Sequence, residues 1–428
     1  MKFAVSTLGC KVNSFESESY VTQLKQLGFE EIPFQEVADI YIINTCAVTN
    51  TASSKSRQRI HQAKRNNPDA VICVVGCYVQ VESEKLQEEG IDILIGSSQK
   101  SELGKIIVEA LNGKKAVEVK DIDSILEFEL LEVPRFQHQT RAYLKVQDGC
   151  NQFCSYCIIP HARGRERSLN TNEVIQQAKN LVLAGHPELI LAGIHTGRYL
   201  SKDQINLAEL IELILTEVPE LQRIRISSIE VNEISDHLIK LIKENKVVAN
   251  HLHIPIQSGT DKILKLMNRT YSTTDFKEKI KQIREAVPMI SISTDVIVGF
   301  PSETEEDFNQ TKELLRELKF SFLHVFPYSS RKNTPAASMK EQLSKEVKKK
   351  RVNQLLNLSN ELSLEYRKCF LNKSVSVIVE QKVNGYYRGY SDEYFEVHIK
   401  SDIDLLHQVV FVTIYEVTDT VCLGRIEG

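Results

Sequence analysis

The sequence predicts an α/β protein in three parts: an N-terminal open parallel α/β domain, a central partial (β/α)6 barrel and a small C-terminal all-β barrel. Three observations predict it. Short apolar runs alternate with helical patterns through most of the chain. The pattern changes to short alternating strands near the C-terminus. Cysteines recur just after the apolar runs, where open α/β sheets place their ligand crevice. A chain of 428 residues holds roughly two to four domains, and the pattern divides it as 1–135, 136–368 and 369–428.

In the first part, the runs Phe3–Leu8, Ile40–Ile43 and Val71–Val75 read as buried parallel strands. Helical patterns follow at Asn13–Leu27, Thr51–Ala63 and Val79–Glu88. Cys10, Cys46 and Cys77 each follow one strand, so three thiols converge on one crevice. The alternative is three buried free thiols, since free cysteine behaves as a small hydrophobe. Cys73 lies inside a strand run and reads as core; Cys369 and Cys422 are isolated. The charged stretch Asn112–Thr140 reads as a linker with a strand or two.

The second part begins with strand Ala142–Val146. The cysteine run D-G-C-N-Q-F-C-S-Y-C-I-I-P-H-A-R-G occupies the loop after it. Cys150, Cys154 and Cys157 are close enough to hold three irons of a cubane cluster and leave the fourth open to a small molecule. The alternative is a structural zinc site with His161 as fourth ligand. Further strands are expected at Leu189–Leu191, Arg223–Ser227, His251–Ile254, Ser291–Val298 and Ser321–Phe326, with helices between them. Six strand–helix units suggest a partial barrel; an open doubly wound sheet is the alternative. Chemistry in such folds sits on the loops after the strands.

A charged helix over Glu341–Cys369 carries the basic run K-E-V-K-K-K-R, and short strands follow at Val375–Glu380, Tyr394–Ile399, Val409–Tyr415 and Val421–Arg425. They fit a small barrel. Tyr387 and Arg388 are placed on a turn there, with Tyr386 and Tyr390, as residues able to stack on unpaired bases.

Composition bounds the rest. The chain is 42% hydrophobic with a formal net charge of −4, which neither advertises nor excludes nucleic-acid binding. No apolar run is long enough for a transmembrane helix. The opening M-K-F-A-V-S-T-L-G-C reads as a strand rather than a signal peptide. Cysteines poised for metal imply a reducing compartment, so a cytoplasmic location is expected.

The run Cys150, Cys154, Cys157, with Tyr156 before the last cysteine, resembles the radical S-adenosylmethionine (SAM) signature. With Cys10, Cys46, Cys77 and a C-terminal barrel resembling a TRAM domain, the whole chain is similar to the methylthiotransferases. The motifs T-L-G-C-K-V-N and N-T-C-A-V-T look most like the bacterial tRNA branch that acts on N6-threonylcarbamoyladenosine at position 37. The resemblance implies two 4Fe-4S clusters. One would sit on Cys150, Cys154 and Cys157 and bind SAM; the other, auxiliary to it, would sit on Cys10, Cys46 and Cys77. It implies SAM contacts from Tyr156, Gly193, Ser228, Glu230, Gln257 and Val298. Val231 stands where the family often has proline. Arg163, Arg165 and Arg167 crowd the segment after the run, and Arg suits phosphate or carboxylate; with Tyr387 and Arg388 they are expected to bind substrate. The expected partners are a tRNA anticodon stem-loop and a low-potential electron donor such as flavodoxin or ferredoxin, with no membrane. Two rivals stand beside this reading. Sister enzymes use the same chemistry on isopentenyladenosine of tRNA or on a ribosomal-protein aspartate. A non-enzymatic, metal-stapled RNA-binding protein is the other.

Overall fold

A computed structural model describes residues 1–427. Six parallel strands form the first sheet: β1 (Lys2–Thr7), β2 (Glu30–Glu31), β3 (Ile40–Thr45), β4 (Val71–Gly76), β5 (Ile93–Ile95) and β6 (Ala116–Glu118), in the order β2-β1-β3-β4-β5-β6. Every residue of β3 is buried, as an inner parallel strand covered on both faces requires. Tyr41 and Ile43 pack with Ile60 and Ala63 on one face, and Ile40 and Ile42 with Leu24 and Leu103 on the other. Only three of these strands were legible in sequence, because β2, β5 and β6 span two or three residues each. β6 lies in the stretch read as linker.

The central part uses β7 (Arg141–Lys145), a small ladder of β8 (Gln147–Asp148) with β9 (Arg167–Ser168), then β10 (Glu188–Ala192), β11 (Arg223–Ile226), β12 (His251–His253), β13 (Ser291–Val298) and β14 (Phe322–Pro327). β11-β10-β7 and β12-β13-β14 form two parallel sheets, and bridges Ile224–Val248 and Ser228–His253 join them into one curved surface. The result is a six-stranded half-barrel with open edges at β7 and β14. The helix Lys345–Lys368 packs along β14, where the Ser359 hydroxyl accepts from the Leu323 amide at 3.0 Å. Of its basic run, Lys345, Lys349 and Lys350 face solvent, while Lys348 lies over the Tyr328 ring at 4.9 Å and Arg351 turns inward to Glu303 and Glu305. Among the described residues no helix is long and apolar enough to cross a membrane.

The C-terminal strands β15 (Ser374–Val383), β16 (Tyr386–Ser391), β17 (Glu396–Ile399), β18 (Val409–Val417) and β19 (Cys422–Ile426) close into a barrel. This corrects the reading of residues 386–390 as a turn. The turn is Asn384–Gly385, both with positive φ, and the tyrosines that follow form β16. Strand alternation then sends Tyr387 inward, 2% exposed among Val377, Val397 and Ile414, where it cannot stack on a base. Arg388 points outward and is half-buried.

This barrel caps the N-terminal mouth of the half-barrel. Arg223 and Arg225, at the start of β11, pair with buried Glu188 and bond the carbonyls of Ser376, Tyr390, Ser391 and Asp392. At the opposite mouth Asn50 of the N-terminal part bonds Ser329, Ser330 and Arg331, just past β14. Tyr387→Ala is expected to destabilise the protein by about 3–5 kcal/mol, as an emptied core position does. Urea denaturation checks this; a loss under about 0.5 kcal/mol, typical of a surface site, would contradict the inward placement.

Candidate functional site

The loop after β8 carries the first cysteine triad. Gly149, with φ 73°, holds the turn before it; a Cβ there would lie 1.9 Å from the Arg165 carbonyl oxygen, so only glycine fits. The Cys157 amide donates to the Cys154 carbonyl and the Cys150 amide to that of Gly164, both at 3.0 Å. The three side chains line a cavity of about 210 Å³ at the C-terminal mouth of the half-barrel. Tyr156, Ser228, Glu230 and Gln257 line it too. Gly193 backs it: a Cβ there would press on Gln147 at 3.0 Å, next to Ile194 and His195 in the lining. Val298 is a correction. Asp295 and Ile297 of β13 face the cavities, whereas Val296 and Val298 join the core with Leu315. A one-residue step along a strand reverses the face.

Two basic groups that sequence reasoning missed hold the thiols. Arg269 donates to Cys154 Sγ at 3.1 Å and pairs with Glu230. His195 Nδ1 lies 3.4 Å from Cys150 Sγ, and its Nε2 lies 2.8 Å from Glu233. Burial alone would lower the His195 pKa, but bonds to Cys150, Glu166 and Glu233 raise it to about 12. His161, the alternative zinc ligand, is exposed and outside the cavity lining. Arg269 and His195 carry no local motif; only the fold brings them to the cysteines.

The second triad sits at the carboxyl ends of β1, β3 and β4. Cys10 precedes the helix Lys11–Gln26, Cys46 follows β3, and Cys77 opens the helix Cys77–Gln87. Asn13 ties the loops together, donating to the carbonyls of Leu8 at 2.7 Å and Thr45 at 3.0 Å. Gly9 is forced by closeness: a Cβ there would sit 3.0 Å from Cys46 Cβ. Cys73 is buried in β4 and Cys422 in the C-terminal barrel, while Cys369 is exposed. All nine cysteines are free thiols. Burial pushes Cys46 and Cys157 up to about 12, so metal ligation there must displace protons. A second cavity, of about 230 Å³, joins the triads' surroundings: Tyr156, Cys157 and Phe326 line it beside Val48 and Thr49 of the Cys46 loop.

Arg163 links the two triads. It follows the first triad on the short helix Ile159–Arg163 and is wholly buried. Its Nε donates to Cys77 Sγ at 3.1 Å, and its Nη atoms reach Glu16 at 2.5 and 3.1 Å, Asn13 at 2.7 Å and Asp148 at 3.4 Å. Lys100 and Lys145 complete the cluster around Glu16. Burial would raise the Glu16 carboxyl pKa, but Arg163, Lys100 and Lys145 hold it well below its usual value. Arg163 and Arg167 are therefore corrections to the substrate-binding reading. Arg167 is 8% exposed and donates to the carbonyls of Arg163 and Arg165. Only Arg165 of the three is exposed, its guanidinium 5.2 Å from the Phe153 ring centre. An Arg-rich segment reads as a surface patch unless its buried acidic partners, here over a hundred residues away for Glu16, are known.

Known proteins resemble the chain as follows. Residues 2–96 match the uncharacterized protein family UPF0004, and residues 144–315 the radical SAM superfamily. Threonylcarbamoyladenosine tRNA methylthiotransferase MtaB of Bacillus subtilis is 43% identical, over 96% of this chain and 93% of that one. Its Aquifex aeolicus counterpart is 40% identical over 89% and 93%. A tRNA-2-methylthio-N(6)-dimethylallyladenosine synthase of Acetivibrio thermocellus is 34% identical over 100% and 90%. Among solved structures, the radical SAM methyltransferase TsrM of Kitasatospora setae, with cobalamin and a [4Fe-4S] cluster bound, shares the fold. Its TM-score is 0.57 at 14% identity, covering 78% of this chain and 76% of that one.

Arg163→Met should cost about 3 kcal/mol in the metal-free protein, because it leaves buried carboxylates short of a partner. Arg163→Lys should cost less. Urea unfolding measures both, and an unchanged midpoint for Arg163→Met would contradict the clamp.

Proposed function

This chain belongs to the radical SAM tRNA methylthiotransferases, and we propose that it places a methylthio group on carbon 2 of N6-threonylcarbamoyladenosine at position 37, in the tRNA anticodon stem-loop. The observation that carries the reading is the pair of cysteine triads: Cys150, Cys154 and Cys157 line one cavity, and the loop of Cys46, through Val48 and Thr49, walls the adjoining one beside Cys157. The substrate branch is supported by the 43% and 40% identities to the Bacillus subtilis and Aquifex aeolicus threonylcarbamoyladenosine enzymes, against 34–36% to dimethylallyladenosine synthases. The units 1–135, 136–368 and 369–428 are taken as its domains, and a low-potential flavodoxin or ferredoxin as its electron donor.

The residues present fit the cofactors of the family. Each triad supplies three free thiols with no fourth protein thiol beside them, and each has a cationic donor on sulfur, Arg269 or Arg163. Cys150, Cys154 and Cys157 would hold one 4Fe-4S cluster, and Cys10, Cys46 and Cys77 the other. When bound, the clusters and SAM supply the one-electron and sulfur chemistry that protein side chains lack.

The chain's own part is to bind, orient and exclude water. Hydrogen bonds to cluster sulfur tune reduction potential, which assigns that work to Arg269 and to Arg163. Glu230, fixed by Arg269, and Ser228 offer polar partners to the SAM amino and carboxylate groups. Gly193 lets backbone approach them closely. Gln257 holds its amide in the cavity, and Tyr156 walls both cavities with its ring edge against Phe300. Arg165 and Arg388 remain free to meet phosphate.

Separate removal of the two triads tests the reading. Cys154→Ala should abolish reductive SAM cleavage and leave the other cluster in place. Cys46→Ala should keep SAM cleavage, lose about half the iron and stop methylthiolation. 5′-Deoxyadenosine yield, iron content and nucleoside mass spectrometry read the three outcomes. Full iron and full methylthiolation in Cys46→Ala would overturn the two-cluster assignment. Conversion of an isopentenylated stem-loop in preference to a threonylcarbamoylated one would move the chain to the sister branch.

A further inference from the structure

The half-barrel holds a third cavity at its other mouth, where β12, β13 and β14 begin and the C-terminal barrel closes over them. It measures about 380 Å³, within the range of small-ligand sites, roughly 300–1,000 Å³. Its walls are aromatic: Phe322, His324 and Tyr366 from the central part, Tyr390 and Tyr394 from the C-terminal barrel. Tyr390 and Tyr394 stack at 5.2 Å, and guanidinium groups of Arg141 and Arg225 lie over them at 4.8 and 4.6 Å. These rings are therefore held in place before any ligand arrives.

The cavity also contains polar atoms without partners. His251 is 5% exposed; its Nε2 bonds the Ser293 hydroxyl at 3.1 Å, while its Nδ1 has no partner. Oε2 of Glu393, in the same lining, is buried and unpartnered. A buried polar atom left unpaired is costly, so two beside one cavity point to a ligand with hydrogen-bonding edges. Flat walls with unpaired polar atoms suit a planar heteroaromatic ring.

The inner face of β14 connects this cavity to the chemistry. Phe322, His324 and Phe326 alternate onto it. Phe322 and Phe326 are 43% and 44% exposed, although both line cavities. Phe322 borders the lower cavity, and Phe326 borders the upper one beside Cys157 and Tyr156. An aromatic ladder between two cavities is a stacking platform for a splayed single strand.

We propose that the lower cavity takes an unpaired nucleobase of the same RNA loop whose target adenosine enters the cysteine-lined cavity. The proposal rests on the tRNA reading above and adds to it a second base site and the strand that leads there. It also replaces Tyr387, which is buried in the barrel core, with Phe322 and the Tyr390–Tyr394 pair as the stacking surface.

The test uses the reconstituted full-length protein and a threonylcarbamoylated anticodon stem-loop whose loop nucleotides are made abasic one at a time. For the parent protein, one abasic change away from the target adenosine should weaken binding about ten-fold, as loss of one stacked base does. Phe322→Ala should weaken the intact loop by a similar factor and be indifferent to that abasic change. Phe322→Tyr should restore binding. SAM cleavage without RNA should be unchanged in both, as should binding by Leu183→Ala, a surface control 82% exposed. Phe322→Ala that binds the intact loop as the parent does, and responds alike to every abasic change, overturns the base site and leaves the tRNA reading intact. A parent protein that binds no stem-loop overturns the tRNA reading itself, and the base site with it.

Discussion

One buried guanidinium holds the working parts of this molecule together. Arg163 comes from the loop of one cysteine triad and ends on Cys77 of the other, with Glu16 of the first helix and Asp148 beside β8 as its counter-charges. All three side chains are nearly or wholly buried, and two lysines share the carboxylate. Burying so many charges carries a desolvation penalty that the mutual attraction only roughly offsets. Its return is geometric. Arg has a rigid fork that engages a carboxylate along two bonds while its Nε remains free for a third group. Few other side chains could meet Glu16 and Cys77 together, so the N-terminal sheet and the half-barrel have one way to dock.

That docking explains the division of labour between the two mouths of the half-barrel. At the C-terminal mouth the first triad, Arg269 and His195 line a cavity open to ligand, and the loop of the second triad walls the adjoining one. At the other mouth Glu188, Arg223 and Arg225 bind the last barrel by saturated ionic and backbone contacts. In (β/α) folds the ends of the strands carry chemistry and their beginnings carry stability. Both assignments follow here from which side chains are paired and which are left free. The Phe322 face of β14 is the exception, an unpaired surface at the stability end.

Much of this was legible in the chain. The six cysteines and the order of the long strands follow from spacing and from apolar runs, because those signals are local. Glu230 and Gln257 line the cavity because polar residues just past apolar strands belong to loops at the carboxyl mouth, and Ser228 beside them was named only through the family resemblance. Val298 was missed by one position: Ser291, Ser293 and Asp295 alternate onto the open face of Ser291–Val298, and Ile297, not Val298, continues that face. Arg163 and Arg167 were misread because burial depends on partners distant in sequence. Tyr387 was misread because a strand opening Y-Y-R-G-Y after N-G looks like an extended turn until its closure into a barrel is known. His195 and Arg269 reach their cysteines from 45 and 115 residues away, and no local pattern announces them.

The central claim is that two separate cysteine triads face adjoining space in one chain. Anaerobic reconstitution followed by electron paramagnetic resonance of the reduced protein tests it most directly. The account predicts about eight irons and eight sulfides per chain, and two cluster signals that speed each other's relaxation. Either signal should disappear when its own triad loses a cysteine, and the remaining one should then relax slowly. A colourless zinc protein, a single cluster of about four irons, or two signals indifferent to each other would contradict it.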